Sequence, residues 1–515
     1  MGRFRVNFEG MTSLKAWELH PEPSTLATNP NYSNKDMDPT PPDQRVWSMF
    51  SYISLWISDA FNTASWELAS ASISLGLGWR QSLEAIAIGH ILIALVITAN
   101  GVIGARLHVP FPVLNRSSFG FWFSYFTVIS RAVLAMFWFA IQTFTGSECV
   151  YQMIKAIWPS FAHLPNHIPA SSNITSAGLL SYFIFWLIQF PFLLVSPQRI
   201  RWLFLVKATI VPPTFLAMMI WAFAKTGGGP LLNQPSAIQG SLQSWAWLNT
   251  MNSALGNYAT MSVNIPDFTR YARRPRDTVV QLIIIPIFFT FTAFIGIAVT
   301  SAGNILYGSY IWDPLRLIDK WDNRAAHSLL RSLSLWPPLE PTFLQTLSLL
   351  RMISRLWLRR SGDPAPALSS WSQIICAIIG GWAICPWEIL AHAIGFLSFM
   401  SGYTIVLSPI AAVMIVDYWL VKRGNVDIPA LYRPEGRYRY WYGTNWRAAL
   451  ALFVTIPLGL PGLINFVIAA VLYYLTSTLF PATEASVSHT IYGNDDDRES
   501  VEDRVSGEEE KKMAV

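Results

Sequence analysis

Charged residues are scarce in this chain of 515 residues. Asp, Glu, Lys and Arg together make up 13% of it, against about 25% in an ordinary soluble domain. Cysteine is scarce as well, and Cys149, Cys376 and Cys385 are spaced as neither a disulfide framework nor a metal-ligand set. These shortages argue against a soluble multidomain enzyme, a disordered scaffold and a fibrous protein.

Several functional motifs are also missing. There is no G-x-x-x-x-G-K-[ST] phosphate loop, so we expect no ATP-driven transport by this chain. The H-E-x-x-H and G-x-S-x-G motifs are absent too, so we expect no enzyme activity, no metal and no cofactor. The net charge of +5 does not indicate a nucleic-acid partner, because the basic residues fall between apolar runs, where membrane topology places them.

What the chain has in abundance is apolar sequence. It is 52% hydrophobic, with 23 Trp and 31 Phe. A membrane-spanning helix needs about 20 mostly apolar residues. Eleven stretches are candidates, at 46–75, 82–104, 119–150, 177–196, 202–224, 244–265, 278–302, 371–390, 393–418, 447–461 and 463–480. The last two are short and are divided by a Pro-Gly pair at 461–462. The sequence therefore predicts an all-α integral membrane protein whose main partner is the lipid bilayer.

A twelfth span within 327–350 would put both ends of the chain on one side of the membrane. With it, the even-numbered loops carry more than twice as many lysines and arginines as the odd-numbered loops. Because positive charge marks the cytoplasmic side, we expect residues 1–45 and 481–515 to be cytosolic tails around a transmembrane domain at 46–480. The first tail lacks the apolar core of a signal peptide, and the second is acidic.

Two spans contain polar residues that a passive helix does not need. The first span includes Asp59, Asn62 and Glu67, and the sixth includes Gly256 and Asn257 ahead of an Asn-Ile-Pro-Asp sequence. Polar groups inside spans are costly and mark pathways or sites. Broken helices five spans apart are typical of inverted-repeat transporters, which bind substrate at the breaks. The alternative for the sixth span is a helix end that leaves the membrane at the proline.

The third span carries an aromatic side chain and an amide on one helical face. Trp138 and Gln142 are four residues apart, so they share that face. An indole stacks on a flat ring, and a carboxamide both donates to and accepts from a cyclic amide. The pair suits a planar, uncharged heterocycle. An aromatic core residue beside a helix–helix amide contact accounts for the same spacing.

Several motifs together resemble the nucleobase-cation-symport-1 family, and most of all its fungal uracil/allantoin/urate permease-like branch. The resemblance covers about 36–480, except 327–372. It rests on the stretches Asn34-Lys-Asp-Met-Asp-Pro39, Pro41-Pro42, Arg45-Val-Trp47, the Trp-Phe-Ala-Ile-Gln run ending at Gln142, Asn264-Ile-Pro-Asp-Phe-Thr-Arg-Tyr271, Cys385-Pro-Trp387, Asp417-Tyr-Trp419 and Gly443-Thr-Asn-Trp-Arg-Ala448.

The resemblance implies a fold and an activity. The fold is a LeuT-like five-helix inverted repeat plus two additional helices, twelve in all, with helices one and six broken. The activity is secondary-active import of a nucleobase or related heterocycle at the plasma membrane. It places uracil, allantoin and urate ahead of thiamine, pyridoxine or nicotinamide riboside, and a proton ahead of sodium as the coupled cation. The oligomeric state stays open.

The resemblance also assigns substrate-binding residues. Trp138 matches the ring-stacking Trp of the family, and Gln142 matches its substrate-amide Gln. Tyr258 stands where bacterial members have a second stacking Trp. Asn62 matches a polar position of the first helix near the ligand, while Gly256 and Ala259 flank Tyr258 at the break.

Gate and cation positions follow from the same resemblance. Phe399 and Met400 in span ten resemble the segment that gates the site and sets selectivity. Ala60 and Thr63 lie near the place where sodium-coupled members bind their ion.

One stretch departs from the family pattern. The family's eighth helix normally carries an Asn-Ile-Ser-Ala-Asn-Ser-type sequence, which supplies a substrate-binding Asn and part of the ion site. Residues 327–370 contain no such sequence. Adjacent prolines at Pro337 and Pro338, together with an arginine cluster at 351–360, do not suit a buried helix. A chain with this stretch is expected to transport little or nothing.

A reading-frame error accounts for the departure. Permitted codons for His327 to Ser354, with the start of Arg355, can be read in the next frame as FFAALSFALATIGTNISANSLSAANDFT. This alternative reading contains the missing helix sequence. Codon choice leaves only one base of each triplet free, so two of every three bases are fixed throughout. We therefore expect a frame change at about His327 that is restored before Gln373.

Overall fold

The computed structural model describes residues 24–27, 32–33, 35–193, 197–228, 235–320 and 380–492. Every regular element in these ranges is a helix, and the β contacts found there are isolated bridges. The all-α prediction is therefore confirmed for the described part of the chain. The predicted eighth span, nearly half of the ninth, the 327–370 stretch and most of both tails lie outside the described residues.

The described residues up to Thr226 form seven α-helices. They are α1 Met49–Ala60, α2 Thr63–Ser74, α3 Trp79–Leu107, α4 Phe111–Phe119, α5 Ser124–Ile157, α6 Ser176–Leu193 and α7 Pro197–Thr226. The second half adds, within its described residues, α8 Gly240–Asn257, α9 Ala259–Asn264, α10 Pro266–Thr269, α11 Gln281–Tyr307, α12 Pro314–Ile318, α13 Pro386–Ile389, α14 Ala393–Gly402, α15 Thr404–Val416, α16 Trp446–Leu458 and α17 Gly462–Leu479.

Seven of the described helical segments are long and apolar enough to cross a membrane. Helix α3 shows how such a helix is used. Ile86, Ile93 and Ile97 are buried on its inner side, whereas Ile91 and Leu95 are about half exposed on its outer side. A helix that is apolar on all sides fits a bilayer and not water. The chain is an integral membrane protein.

The first and sixth spans are each interrupted. The first span divides between α1 and α2, where Phe61 and Asn62 leave helical geometry. The sixth divides between α8 and α9 at Tyr258. Pro266 begins a further short helix and is not the point at which the sixth span breaks. Both interruptions therefore lie beside the polar residues that predicted them.

The tenth span differs from its prediction as one continuous helix at 393–418. It divides at Tyr403 between α14 and α15, where the bond from the Tyr403 amide to the Phe399 carbonyl is stretched to 3.5 Å. The Tyr403 hydroxyl donates instead to the Gly256 carbonyl at 2.6 Å. A tertiary contact to the sixth span thus accompanies this interruption, which lies among Ser401, Gly402 and Thr404.

A buried ion pair holds the far end of the tenth span. After α15 the chain forms a π-helical turn at Asp417–Val421. The Lys422 ammonium lies 2.6 Å from the Asp417 carboxylate, which also accepts from Ser118 and Tyr473 at 2.8 and 2.7 Å. Burial lowers the pKa of Lys422, and the neighbouring Asp417 opposes this effect. The pair ties α4, α15 and α17 together.

The buried apolar side chains form two main clusters. One contains residues of α4, α5, α14 and α15, including Trp138. The other contains residues of α1, α3, α7 and α11, together with Tyr258 from the sixth break. Because the two aromatic candidate residues belong to different clusters, the space between them lies at a boundary within the molecule.

Candidate functional site

A small cavity lies where the two helix breaks meet the third span. Its lining residues come from α1, α2, α5, α8, α9 and the breaks themselves: Asp59, Asn62, Ala64, Trp138, Asn257, Tyr258, Thr260 and Met261. The structure therefore brings Asn62, Trp138 and Tyr258, three of the predicted substrate-binding residues, to one cavity. Asp59, Asn257, Thr260 and Met261 were not singled out as binding residues from the sequence. The first three belong to the polar runs around the breaks.

Asn62 joins the two halves of the first span. Its side-chain oxygen accepts from the Ser65 amide at 2.6 Å and so caps α2. Its side-chain nitrogen donates to the Asp59 carbonyl at 2.7 Å, at the end of α1. One side chain thus satisfies backbone groups on both sides of the break, which a membrane interior requires.

Tyr258 connects the sixth break to the first. Its hydroxyl accepts from the Asn62 amide nitrogen at 3.1 Å and lies 3.1 Å from the Ser65 hydroxyl. Asn257 donates to the same Ser65 hydroxyl at 3.2 Å. The Tyr258 ring packs edge-on against Phe289 of α11, with centroids 4.3 Å apart. The position of this ring is therefore fixed from both ends.

Aromatic side chains form the opposite wall. Trp138 packs edge-on against Phe399 and Tyr403, with ring centroids 6.0 and 6.4 Å apart. Phe399 also contacts Tyr403 at 5.3 Å. The predicted gate residue Phe399 thus lies directly behind the predicted stacking ring. A change at Phe399 would shift Trp138 without touching the cavity.

Gly256 lets the sixth and tenth spans approach each other. A Cβ atom at this position would lie 1.9 Å from the Met400 carbonyl oxygen, a distance that only glycine permits. Met400 is completely buried at this contact. The predicted residues Gly256 and Met400 therefore meet through their backbones, and neither is among the residues that line the cavity.

Three predicted residues lie beside the cavity without lining it. Gln142 is buried one turn beyond Trp138 on the same face of α5. Ala259 is buried at the start of α9. Met400 lies behind Gly256. The structure places the amide of Gln142 within the site region, but it does not bring it to the cavity surface.

The predicted cation position falls on the first break. Ala60 is the last residue of α1 and Thr63 the first of α2, and both are buried. The eighth helix, from which the remaining ligands were expected, lies outside the described residues. Within the described ranges there is no group of three His, Cys, Asp or Glu side chains that could hold a metal ion.

A family profile described as permease for cytosine/purines, uracil, thiamine and allantoin matches residues 39–479. The chain belongs to the nucleobase-cation-symport-1 family. This confirms the resemblance that the motifs indicated, and it places the chain among transport proteins rather than enzymes.

Several relatives of this nucleobase-cation-symport-1 chain are named permeases. An uncharacterized permease of Schizosaccharomyces pombe is 32% identical, over 91% of this chain and 87% of its own length. The allantoin permease of Saccharomyces cerevisiae is 34% identical, over 84% of this chain and 69% of its own length. The uracil permease of the same yeast is 33% identical, over 84% and 70%.

Solved structures share the fold. A structure described as an inward-facing conformation of Mhp1 superimposes with a TM-score of 0.69 at 20% identity, over 90% of this chain and 96% of that one. A closed conformation of Mhp1, described as a nucleobase-cation-symport-1 family transporter with bromovinylhydantoin bound, gives a TM-score of 0.64 at 20% identity, over 88% and 97%. This symport-1 family member thus has the fold of a membrane transporter.

Proposed function

We propose that this chain is a secondary-active symporter that imports a nucleobase or a related planar heterocycle together with a proton. One observation carries the proposal: two aromatic rings and an amide converge on a cavity where two interrupted helices meet. Trp138 and Tyr258 supply the rings, and Asn62 supplies the amide. Midplane binding at broken helices is how inverted-repeat transporters hold their substrates.

The chemistry of the cavity favours a flat, uncharged ring. Indole and phenol faces stack on planar heterocycles, and amides and hydroxyls such as those of Asn62 and Thr260 both donate and accept hydrogen bonds. Uracil, allantoin and urate have this shape and polarity. Thiamine, pyridoxine and nicotinamide riboside form the second group of substrates to be tested.

The proposal includes a topology and a location. We propose twelve membrane helices in the LeuT-like inverted-repeat arrangement within residues 46–480, with the eighth helix in the 327–370 region. The distribution of lysine and arginine supports cytosolic tails at 1–45 and 481–515. The plasma membrane is the proposed location. A proton is the proposed cation, and Ala60 and Thr63 flank the break through which an ion pathway would run.

Uptake by a permease-deficient cell tests the transport proposal. Cells that express the chain with the family's eighth-helix sequence in place are expected to accumulate labelled uracil or allantoin, and Gln142→Ala is expected to abolish this uptake. Gln152→Ala is the matched control, since Gln152 is a buried amide on the same helix but beyond the site. Equal uptake by the Gln142 variant and the parent would contradict the assignment of Gln142.

A second candidate function is a chain that does not transport, either a pseudogene product or a sensor. The observation that favours it is the 327–370 stretch, which replaces the family's ligand-bearing helix sequence with prolines and arginines. Such a chain lacks one of the main ligand positions and part of the ion site.

The two candidates are separated by a second version of the protein. In this version, called here the frame-restored chain, residues from His327 onwards carry the alternative-frame sequence. Import by the frame-restored chain with none by the printed chain supports the second candidate for the printed sequence. Import by the printed chain supports the first. Sequencing the transcript determines which version the cell makes.

A further inference from the structure

Helix α3 carries a histidine that none of the site residues described above accounts for. His90 is 1% exposed, in the middle of a helix that crosses the membrane. Neither of its ring nitrogens has a hydrogen-bond partner among the described residues. Burying a polar group without a partner costs about 1–3 kcal/mol. An ionisable side chain inside the membrane at such a cost is a candidate for function.

The surroundings of His90 are aromatic. Its ring centroid lies 5.4 Å from that of Phe289 in α11 and 6.2 Å from that of Tyr258. Rings at this distance attract a cation through their faces. The same rings offer a neutral imidazole no strong hydrogen bond. Burial opposes the charged form of the ring, so the imidazole is neutral in this arrangement, and the aromatic rings offset part of that cost once a proton is bound.

His90 is held rigidly beside the sixth break. A Cβ atom at the preceding Gly89 would lie 2.7 Å from both the Ala254 Cβ and the Met251 carbonyl oxygen, so α3 and α8 are in close contact there. Tyr258, at the end of α8, connects this region to the first break, since its hydroxyl lies 3.1 Å from the Asn62 amide nitrogen. A continuous set of contacts leads from His90 to the substrate cavity.

Four of the described helices that pack against α3 carry no charged side chain. Helices α8, α9, α11 and α15, which pack against α3, contain no Asp, Glu, Lys or Arg, and Tyr258 is the titratable group in ring contact. Asp267 in α10, and Arg276 and Asp277 in the turn at 275–280, belong to elements that pack against α3, and Pro266 and Thr269 of α10 meet Gly104 at its far end. Gly104 is about 21 Å along the helix from His90.

Glu67 and Glu84 are two further acids on or beside α3, which also carries Arg80 near its start and Arg106 in its last turn. Glu67 in α2 interacts electrostatically with Arg316 of α12. Glu84 lies on α3 itself, more than one turn before His90 and at the exposed side. The ring contacts of His90 among the described residues are with Tyr258 and Phe289. We therefore expect a proton on His90 to act on these two rings.

We propose that His90 binds the co-transported proton, an inference that rests on the proposed function. His90 takes up one proton from the outer side, the imidazolium draws the Tyr258 and Phe289 rings toward it, and Tyr258 then holds the first break in its binding geometry. On the inner side the proton leaves from the same nitrogen. Because binding coupling is reciprocal, substrate bound at Tyr258 raises the proton affinity of His90.

The test compares accumulation with exchange in liposomes that contain the purified protein. The probes are labelled uracil and labelled allantoin, and both the printed and the frame-restored chain are used. With about pH 5.5 outside and about pH 7.5 inside, one proton per substrate supports about hundredfold accumulation. Exchange of labelled for unlabelled substrate at equal pH on both sides needs no net proton movement.

The expected result is a split between the two measurements. His90→Gln loses accumulation and its dependence on external pH, while exchange stays within about twofold of the parent. His90→Phe, which keeps an aromatic ring in the cluster, gives the same split if the glutamine variant fails to fold. His392→Gln, a change at an exposed histidine, leaves both measurements unchanged.

Several results would overturn the inference, and they differ from one another. Parental accumulation and pH dependence in either His90 variant would show that the proton binds elsewhere. Equal loss of exchange and accumulation in folded variants would reduce His90 to a packing residue. Uptake by the parent protein that is driven by a sodium gradient would show that sodium and not a proton is co-transported. Uptake of neither probe by the parent protein would contradict the proposed function itself.

Discussion

The two helix breaks are stabilised in different ways. At the first break, Asn62 caps α2 and binds the end of α1, so the interruption is satisfied within its own span. At the sixth break, no side chain caps α9, and Tyr258 points its hydroxyl across to Asn62 and Ser65 of the other span. The first break is satisfied locally, and the second depends on its neighbours.

This difference assigns different roles to the two breaks. A locally capped break keeps its shape when the surrounding helices move, because its hydrogen bonds move with it. A break held by contacts with α2, α11 and α14 changes shape when those contacts change. We therefore expect the first break to be the fixed part of the site and the sixth to be the part that responds to substrate.

Gly256→Ala should have the largest effect, because the sixth break depends on close contact between the sixth and tenth spans. The added methyl meets the Met400 carbonyl at 1.9 Å, and overpacking of this kind costs about 1–3 kcal/mol. Uptake should fall to background and the thermal unfolding temperature should drop. Gly402→Ala is the control, since nothing lies within 4 Å of its added Cβ. Normal uptake and unfolding in the Gly256 variant would show that the two spans are not held this closely.

Asn62→Ala should have the next largest effect, since it removes the cap and both donors at once. Loss of an N-cap alone costs about 1 kcal/mol, and Tyr258 loses a partner as well, so uptake should fall by about tenfold or more. Asn62→Asp keeps the capping oxygen and removes the donors, and it should give an intermediate rate. Equal uptake rates in the alanine variant and the parent would contradict the role of the first break.

Tyr258→Phe should have a smaller effect that is confined to binding. The ring keeps its contact with Phe289, and the hydroxyl contacts to Asn62 and Ser65 and the long one to the Asp59 carbonyl are lost. At about 1 kcal/mol per hydrogen bond, KM should rise about fivefold to thirtyfold with little change in the maximal rate. Concentration-dependent uptake measures this. A fall in maximal rate at unchanged KM would show that the hydroxyl acts in the conformational change and not in binding.

Phe399→Leu should have the smallest effect, and one on selectivity. Phe399 supports Trp138 from behind at 6.0 Å, and an edge-on aromatic pair contributes about 0.5–1.5 kcal/mol. The ratio of uracil to allantoin uptake should therefore shift by about twofold to tenfold. Competition between the two labelled substrates measures the ratio. An unchanged ratio would separate Phe399 from the choice of substrate.

Much of the fold could be predicted from the sequence, because membrane spans are recognised by their length and apolarity. The break at Tyr258 was accessible because Gly256 and Asn257 are poor choices for a continuous helix in lipid. The division at Tyr403 was not, since Tyr403 keeps helical backbone angles and the contact that accompanies the division, to Gly256, comes from a distant part of the chain.

The site was accessible only in part, for a related reason. Trp138, Tyr258 and Asn62 were found through spacing and resemblance, and they meet at the cavity. Met261 and His90 gave no signal, because a methionine or a single histidine within an apolar run looks like core. Only the structure shows that α3 places the His90 ring beside Tyr258 at the sixth break.

The most direct test of the central claim is a density map of the transport-competent chain, printed or frame-restored, with uracil or allantoin bound. The account predicts ring density between Trp138 and Tyr258, within hydrogen-bonding distance of Asn62, and an unchanged cap between Asn62 and Ser65. Ligand density elsewhere in the molecule, or a ring in contact with neither aromatic side chain, would contradict it.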